Sequence, residues 1–178
     1  RVNQYGFGWY LSENEEVSWS IELLERYKDS WVWWKLSFNE GLPWSIELLE
    51  RYKDSWDWKW LSTNKGLPWS IELLARFEDS WDWKWLSTNK GLPWSLELLE
   101  HFEDRWDWDS LNGSGVLSWN LELFERFEEK FGRCSEHIWI EIVNRLEIAD
   151  IVELMNLAPN IENKSPKTGK KLHQTYDS

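Results

Sequence analysis

A 25-residue period narrows what this chain can fold into more than any other feature: five units run without insertion from Leu11, Leu36, Leu61, Leu86 and Leu111. The second and third, "LSFNEGLPWSIELLERYKDSWDWKW" and "LSTNKGLPWSIELLARFEDSWDWKW", agree at 20 of 25 positions. They differ at Phe38/Thr63, Glu40/Lys65, Glu50/Ala75, Tyr52/Phe77 and Lys53/Glu78, and four of these five pairs stand where a side chain is expected to face solvent. A period of this length means that one unit is one supersecondary element. Such a unit cannot bury its apolar face alone, so neighbours must stack.

Each unit predicts two helices. In "PWSIELLERYKD" Pro43, Pro68 and Pro93 suit a first helical turn, where the absent N–H costs nothing, and Ser45 and its equivalents are alternative N-caps. Glu47, Glu50, Arg51 and Asp54 then form a polar stripe opposite Trp44, Leu48, Leu49 and Tyr52, with Glu47 and Arg51 at ion-pair spacing. A shorter second helix follows, capped by Asp54 or Ser55, with Asp57 in its first turn and Trp56, Trp60 and Leu61 on one face. Asn64 or Gly66 suits the left-handed conformation that closes a helix.

Helices this short offer few core positions, which accounts for 18 tryptophans in 178 residues. A buried indole removes about 150 to 250 Å² from water, more than any other side chain. The units resemble those of tandem-repeat proteins of bacteria and large DNA viruses with W-D-W / L-S-x-N / P-W-S-x-E-L-L signatures. The resemblance covers residues 9 to about 131, is strongest from Leu36 to Trp108, and implies an architecture but no activity. The expected fold is all-α: a short α-solenoid of five two-helix repeats with a C-terminal helical cap and a flexible tail. Residues 1–10 read as part of a preceding repeat, 11–135 as the five repeats, 136–158 as capping helices and 159–178 as a polar tail.

Composition removes several function classes. With 32 acidic against 20 basic residues the net charge is -12, which disfavours a phosphate backbone as partner. A single cysteine, Cys134, forms no internal disulfide, and no apolar run approaches membrane-spanning length, so the expectation is a cytoplasmic protein without a membrane partner. The pattern already runs at Arg1, where "WYLSEN" resembles the later "KWLSTN". An enzyme or targeting signal upstream therefore stays open.

Candidate chemistry is sparse. His101 sits on the polar stripe, His137 at the start of the cap and His173 in the tail, none with a neighbour at catalytic or ligand spacing. Cys134 and His137 form a C-x-x-H pair with no second pair to complete a zinc site. The expectation is no enzyme, no catalytic residue, no metal and no cofactor.

Asp54 with Asp57, Asp79 with Asp82 and Asp104 with Asp107 place carboxylates three apart in successive units, as helix-start acids or as a row of cation sites. Trp58, Trp83 and Trp108, the middle residues of W-D-W, either pack between units or form a ladder for stacking. These six residues, Trp58, Trp83, Trp108, Asp57, Asp82 and Asp107, are the candidate binding set. The unit charge varies while the core repeats: -2 over residues 36–60 (five acids, three bases), -1 over 61–85 (four and three), -4 over 86–110 (six and two). The leading expectation is therefore an interaction scaffold binding another protein along the repeat surface, with a homo-oligomer left open. A carbohydrate or base-stacking platform and a regulatory arm of a larger protein are the alternatives.

Overall fold

The computed structural model describes residues 4–130, 138, 140 and 142–144. Most of the expected cap, with Cys134 and His137, and the whole of the expected tail lie outside the described residues. Within them the chain is an all-helical solenoid without strands. After α1 (Gln4–Ser12), first helices recur at α2 (Ile21–Arg26), α4 (Ile46–Arg51), α6 (Ile71–Arg76), α8 (Leu96–His101) and α10 (Leu121–Phe127). Second helices alternate with them at α3 (Trp33–Phe38), α5 (Trp58–Leu61), α7 (Trp83–Leu86) and α9 (Trp108–Ser114). A 3-10 turn at Glu128–Lys130 follows, and α1, α3 and α5 pack side by side.

The helices are shorter than their sequence pattern suggests. Ser45 is the N-cap of α4, its hydroxyl accepting from the Leu48 N–H, and this puts Pro43 outside the helix and not in its first turn. The same serine cap opens α2, α6 and α8, and Asn120 takes its place at α10. Asp57 is itself the N-cap of α5, so that helix starts at Trp58, and neither Asp54 nor Ser55 caps it. Helices of four to seven residues cannot persist alone, because nucleation costs more than one or two turns return. They hold here because stacked neighbours bury Leu48, Leu49, Leu61, Leu73, Leu74 and Leu86 completely.

Between the helices, side chains satisfy the backbone. Asn64 is buried; its Nδ2 donates to the carbonyls of Ser37 and Asn39 at 3.0 and 3.1 Å, and its Oδ1 accepts from the Gly66 N–H at 2.7 Å. Its own carbonyl accepts from Trp69 Nε1 at 3.0 Å. Asn39 and Asn89 repeat every one of these bonds one unit away. Beside this ladder runs a second: Ser62 Oγ donates to the Trp58 carbonyl at 2.7 Å and accepts from the Asp82 N–H of the next unit at 2.9 Å.

Asn64 and Gly66 therefore do not close a helix in the left-handed region; among the described residues only Gly115 has a positive φ, 64°. Gly66 is required for another reason. A β-carbon there would run into the backbone of Glu40 in the preceding unit.

Candidate functional site

The position of each indole follows from where α5 begins. With Asp57 as cap, Trp58 and Leu61 lie three apart on one helical face, while Trp60, about 200° round from Trp58, points the other way. Trp56 precedes the helix and is 5% exposed, whereas Trp60 is 38% exposed, so the two do not share a core face.

Trp58, Trp83 and Trp108 are half-buried between units. The Trp58 ring lies 5.1 Å from Phe77 and 5.0 Å, edge-on, from Trp81 of the next unit, and its Nε1 donates to the Lys53 carbonyl at 3.1 Å. Trp83 meets Phe102 and Trp106 in the same way, and Trp108 meets Phe127. Asp57, Asp82 and Asp107 spend a carboxylate oxygen on the N–H of Trp60, Trp85 and Ser110. At Asp107 the Ser110 hydroxyl and N–H hold the carboxyl below the usual carboxylate range. The six candidate residues are thus brought together pairwise at each second-helix start, with each indole N–H and one carboxylate oxygen of each aspartate engaged by the backbone.

The indoles left facing outward are others: Trp9, Trp34, Trp60 and Trp85, with Phe38. Trp9 and Trp34 stand 5.8 Å apart, Trp34 and Trp60 6.0 Å, and Phe38 and Trp60 5.7 Å, so the rings touch in a continuous strip across unit boundaries. Lysines lie on it: Lys35 Nζ is 4.1 Å from the centre of the Trp9 ring and 5.5 Å from that of Trp34, and Lys59 Nζ is 5.4 Å from that of Trp85. Lys35 is otherwise buried and pairs with Glu13. A groove of about 350 Å³ runs along the strip between Glu13, Glu15, Trp34, Phe38 and Trp60. One unit later the strip ends, where Asp109 and Ser110 take the places of Lys84 and Trp85.

This strip escaped the sequence reading because three tryptophans within five residues look alike until the helix start is known. Its one available signal was the exchange "WVWWK" for "WDWKW" in the first unit, which moves the outward indole from register position 25 to position 24.

The first helices and the turns that follow them carry an acidic surface cross-linked between units. Arg76 pairs with Glu50, Arg105 with Glu78 and Asp79, Arg126 with Glu100 and Glu103, and Lys130 with Glu103 and Asp104. Tyr52 OH donates to Glu25 at 2.7 Å; burial and that carboxylate push the phenol up to about 12, while the phenol and Lys28 hold Glu25 below its ordinary value.

His101 packs its ring on Phe102, with centroids 4.6 Å apart. Among the described residues no cluster of three or more His, Cys, Asp or Glu has the placement to hold a metal, and no helix is long and apolar enough to cross a membrane.

No family model, curated protein or solved structure matches this chain.

Proposed function

We propose that this chain is a protein-interaction module whose contact surface is the aromatic strip of Trp34, Phe38, Trp60 and Trp85. The observation that carries the reading is the continuity of the exposed Trp34, Phe38 and Trp60 rings, with Lys59 reaching over the exposed Trp85 ring one unit on: a contiguous apolar patch of this kind marks an interface, and tryptophan is the residue most enriched at energetic hot spots. The partner chemistry follows from charge. The chain carries -12, Glu13 and Glu15 rim the groove, and its own lysines already lie over the rings. A basic, extended segment of a partner protein would combine cation–π contact with carboxylate pairing. The single cysteine supports a cytoplasmic setting, and no catalytic step is proposed.

The test compares wild type with Trp34→Ala/Trp60→Ala and Trp85→Ala as bait, each first shown to keep its far-ultraviolet circular dichroism and melting profile. A basic protein partner retained by wild type, released by raised salt and lost with the variants is the expected result. Retention that ignores all three substitutions would overturn it, and a glycan or nucleotide in the protein's place would replace it by a stacking platform.

A further inference from the structure

α3 carries Trp34 and Phe38 and packs between α1 and α5, so the groove at Trp34, Phe38 and Trp60 has stacked helices on both sides. Of the four outward indoles, three lie under a cation of the chain's own: Lys35 is over Trp9 and Trp34, and Lys59 is over Trp85. Among the described residues no cation lies over Trp60. The register gives the reason. Lys59 stands one unit on from Trp34, and Trp85 one unit on from Trp60. The position that supplies a cation to Trp85 therefore supplies a ring at the groove.

The two internal lysines show what a primary ammonium needs, since its three N–H donors must be met by acceptors or by water. Lys35 is buried and pairs with Glu13, whereas Lys59 is exposed to solvent. In the groove Glu13 is already engaged by Lys35, and Glu15 remains as the carboxylate without an ion pair among the described residues. The rings differ in orientation: Trp34 and Trp60 are tilted by 38°, Phe38 and Trp60 by 77°. A planar guanidinium can lie flat on only one of them. A spherical cation without N–H donors can meet all three, and a quaternary ammonium is such an ion.

We propose that this groove recognises a quaternary ammonium, carried as a trimethylated lysine side chain in the partner's basic segment. The lining holds two carboxylates against one ammonium, which favours a cation and disfavours the phosphate that accompanies the same head group in phosphocholine. Trimethyllysine has an apolar stem and no anion of its own. Its flanking chain would follow the strip toward Trp9 on one side and Trp85 on the other. This occupant rests on the partner-protein reading above and specifies one contact within it.

The probe is N-acetyl-trimethyllysine methylamide, titrated into the full chain and followed by nuclear magnetic resonance. Its comparators are the unmethylated lysine, the neutral isostere with carbon in place of the ammonium nitrogen, and phosphocholine. A saturable response at Trp34, Phe38 and Trp60 is expected, about tenfold tighter than for the lysine or the isostere. Two variants borrow residues that later units carry at the same register, so the repeat tolerates them. Phe38→Thr, after Thr63 and Thr88, should weaken binding about tenfold, and Glu15→Lys, after Lys65 and Lys90, about threefold in low salt. No saturation at tens of millimolar probe, equal binding of the neutral isostere, tightest binding of phosphocholine or a response centred on Trp85 would each overturn the proposal. Equal binding of the two lysines at these rings overturns it as well, yet leaves the basic-segment reading standing. That reading falls separately, on a bait whose retained partner ignores Trp34→Ala/Trp60→Ala.

Discussion

Two ladders join the same units, one buried and neutral, the other exposed and charged, and they are built by different rules. In the buried ladder Asn39, Asn64 and Asn89 make identical bonds at every step, and Ser37, Ser62 and Ser87 do likewise beside them. Along the exposed edge the partners change at each step: Tyr52 to Glu25, Arg76 to Glu50, Arg105 to Glu78 and Asp79, Arg126 to Glu100. Burial explains the contrast. A buried amide without a partner forfeits its desolvation cost, so one residue type is required, whereas exposed charges can exchange partners through water at little loss.

The comparison breaks most sharply at Asn64→Ala. Three hydrogen bonds go: the buried Ser37 carbonyl and the part-buried Gly66 N–H lose their partners, while the Asn39 carbonyl keeps its bond from Trp44 Nε1, so a loss of about 3 kcal/mol in urea unfolding is expected. A loss under about 1 kcal/mol would show that water replaces the amide and that the buried ladder is no stronger than the exposed one.

Ser62→Ala tests the neighbouring ladder. It leaves the Asp82 N–H without its acceptor while the Trp58 carbonyl keeps its bond from the Ser62 N–H at 2.9 Å. About 2 kcal/mol is expected, and equality with Asn64→Ala would mean that the count of orphaned groups does not govern the cost.

Tyr52→Phe probes a bond between the two regimes, with a buried ring and a hydroxyl on an exposed carboxylate. At neutral pH it should cost about 1 kcal/mol. The raised phenol value favours the protonated form in the folded chain. Its contribution is therefore complete below about pH 10, the ordinary tyrosine value, and fades as the pH climbs toward 12. Thermal melts from pH 8 to 12 should show wild type converging on the variant, and a constant gap would contradict the assignment.

Arg105→Ala should be the mildest change, a stability loss smaller than that of Tyr52→Phe in low salt and shrinking as salt rises, although it removes bonds to both Glu78 and Asp79. A salt-independent loss as large as that of Ser62→Ala would place the charged ladder on a par with the buried one.

The fifth unit shows where the buried rule lapses. Ser114 replaces the ladder asparagine and bonds only locally, to the Leu111 carbonyl and the Val116 N–H, and both side-chain polar atoms of Asn112 are buried without a partner. The charged ladder nevertheless continues through Arg126 and Lys130. The Trp106 ring keeps its place, yet its Nε1 lacks the carbonyl that Trp31, Trp56 and Trp81 find seven residues back, and nothing in the structure explains this.

Much of the architecture was legible before any coordinates. The period, the leucine pair Leu48 and Leu49 and the cap at Ser45 are local signals, and each stands where the pattern puts it. The role of "LSTN" was not legible, because Asn64 reads as a helix stop until its bonds 25 and 27 residues back are seen. Helical spacing offered Arg51 to Glu47, yet the equivalent arginine of the next unit, Arg76, pairs with Glu50 of its stacked neighbour.

The sequence by itself determined the unit, its repetition and the serine caps of the first helices, since these depend on residues a few positions apart. Tertiary structure alone decided which indole of "WDWKW" faces out and which polar groups join the units. Burial and pairing are set by what the neighbouring unit presents, and that surface exists only once the units have stacked.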